Sequence, residues 1–226
     1  MGTLLLRPAP LTEQVAGNIR ARILKGELRP GERLVEQQLA KSLGVGQNAV
    51  REALIDLAHG GFVRRLTNRG TYVTELTLDE ARKMAEVRGA LEGLAVDLVA
   101  QRYARTPFDL GELDTPLAGM RAAAVASDRE QFYACDLRFH QALWKLSGND
   151  YLEQAAEQIV VPLFAFFIML YMRTGSASGS FLEAVEAHEQ VVRDIRSSGA
   201  GRARQSMEEL VDLALKHQQG LMPDAR

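Results

Sequence analysis

Cysteine is almost missing from these 226 residues, with Cys135 standing alone. An intrachain disulfide is therefore excluded, and the usage suits a reducing cytosol. An export signal is not expected either. Leu4, Leu5 and Leu6 are too few for a signal-peptide core, so residues 1–10 read as a flexible arm. The strongest apolar run, Ile159 to Met172, contains Pro162 and falls short of the roughly 20 residues that span a bilayer. It reads as a buried core helix, bent or begun at that proline. No internal repeat of solenoid type is found, and Gly175 to Ser180 is read as a flexible loop between helices. Also lacking are a phosphate-cradling glycine loop, a nucleophile elbow and a pair of catalytic carboxylates. An enzyme reading is left with little to stand on.

What is present divides in two. At 46% hydrophobic residues the chain can bury a sizeable core, and its length suits one domain or two. The net charge of −2 conceals an asymmetry: 11 Lys and Arg face 7 Asp and Glu up to residue 76, and 16 face 22 beyond it. The basic part is the candidate for nucleic-acid contact. Its excess charge is modest, so one copy should grip phosphate weakly and dimerisation would be needed for tight, salt-sensitive binding.

Within the basic part, Leu39, Leu43, Val45, Val50, Leu54 and Leu57 fall at helical spacing on both sides of Gly44. Two short amphipathic helices joined at a glycine corner make a helix-turn-helix. Gln47, Asn48 and Arg51 occupy the start of the second helix, the part that reaches base edges in a major groove. Upstream, Val15, Ala16, Ile19 and Ile23 predict a helix ending at Lys25 and Gly26. Downstream, β-prone runs from Phe62 to Leu66 and from Thr71 to Leu76 flank Thr67-Asn68-Arg69-Gly70, a hairpin with glycine at a positive-φ position. Three helices and a hairpin predict a winged helix over residues 11–76. Arg64, Arg65 and Arg69 on the wing would face phosphate or a minor groove.

Four blocks in order, Ile23 to Leu34, Leu39 to Val45, Val50 to Leu54 and Arg69 to Val73, resemble the DNA-binding domain of GntR-family transcriptional regulators. The resemblance implies DNA contacts from Gln37, Gln47, Asn48, Arg51, Arg69 and Gly70. It also shows a departure. The family carries Ser or Thr, then Arg, then Thr-Pro, where this chain has Gly46, Gln47, Asn48 and Ala49. Glycine still serves as an N-cap. The reading head changes more, because Arg favours guanine whereas Gln or Asn suits the N6/N7 edge of adenine. An operator unlike the common family sequence is expected at that base pair.

Residues 77–226 begin with Thr77 and Glu80, a capping box. Helical periodicity then dominates, predicting helices near 78–104, 109–126, 128–147, 149–173, 180–198 and 200–220. The expected fold is mainly α, a winged helix-turn-helix followed by an all-α bundle of about six helices. Bundles place ligand and metal sites between facing helices. Asp136 and His140 lie four apart on one helix and could share a cation, with His188 as a third ligand. The bland alternative for the first two is a helix-surface acid and base pair.

Arg88-x-x-x-Glu92, Asp136-x-x-Phe139-His140, Ser147-Gly148-Asn149 and His188 resemble the FCD-type helical effector domain of the FadR subgroup of GntR regulators. Six helices place it nearer the shorter, VanR-like branch. The resemblance implies a divalent metal, zinc or nickel, on Asp136, His140 and His188, with an effector carboxylate beside it. It expects one more histidine where Leu210 stands. His217 lies two turns further along, roughly 10 Å away, and is a poor substitute. Arg88, Tyr133, Asn149 and Arg173 are the effector-binding candidates. Arg88 could instead form a solvated pair with Glu92, Tyr133 could be a core aromatic, and Asn149 could cap the next helix. Phe164, Phe166, Phe167 and Met169 read as core. Together these readings imply a cytoplasmic, homodimeric repressor on a palindromic operator, controlled by a small organic acid. The competing readings are a metal-dependent enzyme using Asp136, His140 and His188, and a nucleoid-type binding module without an effector.

Overall fold

Each helix of the amino-terminal part turns one apolar stripe inward. α1 (Leu11–Leu24) buries Val15, Ala16, Ile19 and Ile23, α2 (Glu36–Leu43) buries Leu39 and Ala40, and α3 (Gln47–His59) buries Val50, Ala53, Leu54 and Leu57. In this computed structural model, which describes residues 10–174, 181–197 and 200–219, the chain forms two units divided between Glu75 and Leu76. The proposed arm before Pro10 and the glycine and serine loop at 175–180 lie outside the described residues.

Gly44 ends α2 at φ 68°, a left-handed conformation that costs glycine nothing and other residues about a kcal/mol or more. Gly46 is the N-cap of α3, so Gln47 and Asn48 open the recognition helix as predicted. The wing pairs β2 (Val63–Leu66) with β3 (Gly70–Val73), Val63 opposite Val73 and Leu66 opposite Gly70. Two residues take positive φ around its tip, Asn68 at 59° and Gly70 at 104°. β3 was expected to reach Leu76 but stops at Val73. Its next residue, Thr74, is buried and turns its hydroxyl to the Gly61 carbonyl. A third strand, β1 (Arg33–Leu34), pairs with the other edge of β3 and was not anticipated. Two residues carry no readable alternation.

Among the described residues six helices follow: α4 (Leu78–Arg105), α5 (Gly111–Ala126), α6 (Arg129–Leu146), α7 (Asp150–Thr174), α8 (Phe181–Ser197) and α9 (Ala200–Gln219). The mainly α fold class and the six-helix count are as the periodicity predicts. Thr77 opens α4 with a reciprocal capping box: the Glu80 amide donates to the Thr77 hydroxyl at 3.2 Å, and the Thr77 amide to the Glu80 carboxylate at 2.8 Å. Asp128 caps α6 by accepting from the Gln131 amide. Phe139, Leu143, Trp144, Leu113, Met120, Val96, Val99 and Val185 meet in the core, each fully buried. A side chain of this size contributes about 1.5–3 kcal/mol when buried.

Pro162 does not begin a helix. It lies inside α7, where it removes one backbone donor, and its neighbours Val160, Val161, Leu163 and Phe164 are all buried. The length argument against a membrane span also fails. Asp150–Met172 is 23 residues with mean hydropathy 1.8, long and apolar enough to cross, and 56% of its apolar window is buried inside the helical unit. Burial marks it as a core helix where length does not. α4 lies against α6, α7, α8 and α9, which brings its middle turns to the functional centre.

Candidate metal centre and DNA-reading surface

Three donor atoms converge between α6 and α8. Asp136 Oδ1 is 3.0 Å from His188 Nε2 and 3.4 Å from His140 Nε2, and the two imidazole nitrogens are 3.4 Å apart. The Asp136 and His140 side chains are 14% and 0% exposed, so the helix-surface pair is excluded. Helical spacing alone makes them neighbours, and the packing of α8 on the bundle supplies His188.

The far edges of both rings are held. His188 Nδ1 is 2.6 Å from the Ala184 carbonyl, which can only accept, so this nitrogen carries the proton. His140 Nδ1 is 2.9 Å from Glu92 Oε1, close but poorly aligned for a hydrogen bond. Imidazoles anchored through Nδ1 with Nε2 free are the usual arrangement of metal-ligating histidine. Bonds of about 2.0–2.1 Å in a tetrahedron put ligand atoms about 3.3–3.4 Å apart, close to the edges found here. The donor set therefore fits a small divalent cation on three protein ligands. The expected fourth position is Leu210, which is buried and apolar and offers no donor.

A second layer surrounds this triangle. Arg88 and Glu92, one turn apart on α4, are 6% and 0% exposed, with Arg88 Nε 3.3 Å from Glu92 Oε1. The solvated form weighed as an alternative for this pair is thus excluded: α6 and α7 pack over it. Arg88 Nη2 also lies 3.1 Å from His140 Nε2, and its guanidinium sits 4.6 Å above the Phe164 ring. Phe164, read as simple core, stacks on this cation, an arrangement worth about 2 kcal/mol when desolvated.

The electrostatics follow from burial opposed by close partners. Burial pushes the Asp136 carboxyl up, and hydrogen bonding to His140 and His188 outweighs it, holding the group well below the ordinary carboxylate range. Burial likewise raises Glu92, and Arg88 and His140 bring it below its usual value. For His140, burial favours the neutral ring, yet Glu92 and Asp136 raise its pKa overall. Burial pushes the Tyr133 hydroxyl up strongly, so it stays protonated and able to donate. Its ring meets Phe132 and Phe181 edge to face and Tyr171 at a tilt.

The remaining effector candidates are placed differently. Asn149 accepts from the Leu152 amide at 3.2 Å and so caps α7, the alternative weighed for it. The Arg173 and His217 side chains lie outside the described residues. Glu92 is the residue that sequence reasoning undervalued. Its spacing from Arg88 is the same for a solvated pair and a buried one.

On the amino-terminal unit, Gln37, Gln47 and Gly70 line one concavity of about 330 Å³, together with Arg33, Glu36 and Thr71. Asn48, Arg51 and Arg69 are exposed and outside its lining. Arg51 is not idle. Its Nε and Nη2 donate to the Glu36 carboxylate at 3.1 and 2.9 Å, a contact absent from the sequence reading. Gly70 lets Arg33 lie close: a Cβ there would come within 3.3 Å of the Arg33 guanidinium.

Residues 11–73 match the family model of bacterial regulatory proteins of the gntR family, and residues 83–213 match the FCD domain. The chain is a GntR-family transcriptional regulator with an FCD domain. McbR of Escherichia coli is 26% identical over 220 residues, 96% of this chain and 98% of McbR. LutR of Bacillus subtilis is 28% identical over 206 residues, covering 82% and 90%, and the E. coli transcriptional repressor RspR is 29% identical over 140, covering 61% and 60%. The solved structure of McbR superposes with a TM-score of 0.68 at 24% identity, covering 94% of this chain and 98% of that one. That likeness concerns the fold. GntR regulators bind DNA operators and are generally dimeric, and the enzyme alternative falls with the family assignment.

Proposed function

We propose that this GntR regulator is a cytoplasmic homodimeric repressor of a palindromic operator, whose affinity is set by a small carboxylate bound beside a divalent metal. The observation that carries the reading is the triangle of Asp136 Oδ1, His140 Nε2 and His188 Nε2 at 3.0–3.4 Å. Zinc or nickel would be held by these three residues, leaving a position for an effector oxygen. The ion supplies a fixed positive charge against which a carboxylate can bind. Arg88 and the Tyr133 hydroxyl are the groups proposed to orient that carboxylate. Asp136 and Glu92 carry two negative charges against one from Arg88, so a divalent ion plus one carboxylate brings the cluster to neutrality. The repressor assignment leans on the likeness to RspR.

On DNA, Arg51 is proposed as the essential base contact, with Gln47 and Asn48 reading an adenine edge and Gln37, Arg69 and Gly70 supporting contacts. The effector would act by favouring one arrangement of the two DNA heads. Half-sites about 34–36 Å apart must both be met, and a ligand with equal affinity for both arrangements would change nothing. Metal analysis of protein purified without affinity-tag metal is the test. Stoichiometric zinc or nickel in the native chain and its loss in Asp136→Ala are expected, and absence of metal after loading would retire the site.

A further inference from the structure

His140 Nε2 has more claimants than one nitrogen can satisfy. A proton there suits Asp136 Oδ1 at 3.4 Å and opposes the Arg88 Nη2 donor at 3.1 Å; a lone pair suits Arg88 and sets Nε2 against the carboxylate. His188 Nε2 sharpens the conflict. It lies 3.0 Å from the same Asp136 oxygen and 3.4 Å from His140 Nε2, while its Nδ1–H is turned to the Ala184 carbonyl. A divalent ion would satisfy all three donors together, but not with a guanidinium standing at the nitrogen it must bind.

We infer that Arg88 is a built-in competitor for the metal, occupying the ligand edge of His140 until the ion displaces it and frees it for the effector carboxylate. This rests on the metal reading above. The reach is specific to arginine, whose planar fork lets Nε face Glu92 at 3.3 Å while Nη2 faces His140. Phe164 below the guanidinium gives it a surface on which to turn. The consequence is a coupled site. Metal entry releases an anion-binding group, so carboxylate affinity depends on the ion through Arg88 as well as by direct ligation.

The sign of one effect separates this from an ordinary supporting role. Losing a residue that merely supports a metal ligand weakens metal affinity by about 10–100-fold, whereas losing a competitor tightens it. Full-length protein stripped of metal is titrated with zinc, and separately with nickel, against a chelating indicator. Arg88→Met is expected to bind the ion about tenfold tighter than the native chain, on the same scale as other outer-shell effects. Arg88→Lys guards against misfolding, since an ammonium can stay paired with Glu92 yet cannot hold both partners, and it should also tighten binding. Native metal binding with equal or weaker affinity in both variants overturns the inference and leaves the metal reading standing. Binding by the variants but not by the native chain overturns it as well, because the ion then never displaces Arg88. No binding by any of the three proteins sinks the metal reading and this inference with it.

Discussion

The amino-terminal unit keeps Gln37, Gln47, Asn48, Arg51 and Arg69 on its surface, whereas the helical unit buries Arg88, Glu92, His140 and His188. Exposed charges cost little to hold and are screened by salt, so the reading head can change its polar residues without endangering its apolar core. Gly46, Gln47, Asn48 and Ala49 show this, departing from the family pattern while α3 still starts where the pattern puts it. Buried charges must balance among themselves. In the helical unit a substitution at one partner is felt by the others, and stability and ligand affinity move together.

The largest effect expected from this contrast is at Arg51. Arg51→Ala should cost about 1–3 kcal/mol per half-site, roughly 10–100-fold, in operator affinity measured by mobility shift at fixed salt. The melting temperature should barely move, because the side chain is exposed. A large loss of stability with unchanged base preference would break the contrast on the DNA side. A smaller effect sharpens it on the other. Leu210→His places a third imidazole, and with it a fourth ligand, where the family resemblance expects one, and zinc affinity measured by chelator competition should rise about tenfold. Unchanged affinity in a folded variant would show that position 210 does not face the triangle. The smallest effect is structural. Thr77→Ala removes one half of the capping box and should cost about 1 kcal/mol in denaturant unfolding. Operator affinity at fixed effector should stay the same, and a shift in base preference would contradict the purely capping role.

Legibility in the sequence divided along the same line. The start of α4 was readable because Thr77 and Glu80 are a local signal, and Gly44 was readable because a helix end needs a left-handed residue. Asp136 and His140 were paired by spacing alone, while His188, 48 residues beyond His140, could be offered as a third ligand from a later helix but no local pattern put it beside them. Burial was not readable. Arg88 and Glu92 have the spacing of any surface ion pair, and only the packing of α6 and α7 over α4 takes them out of water. The same holds for Pro162, where neighbouring core residues keep a helix running through a residue that favours a break. β1 escaped notice because its two residues acquire strand structure from β3 and not from their own pattern.

The most direct measurement is operator affinity of the metal-loaded protein at fixed salt, titrated with a panel of small carboxylates and repeated with Asp136→Ala. At least one acid should change the native affinity by about tenfold, the scale of an ordinary coupling free energy, and leave the variant unaffected. Acids that raise the melting temperature of the native chain yet leave its grip on the operator unchanged would contradict the account.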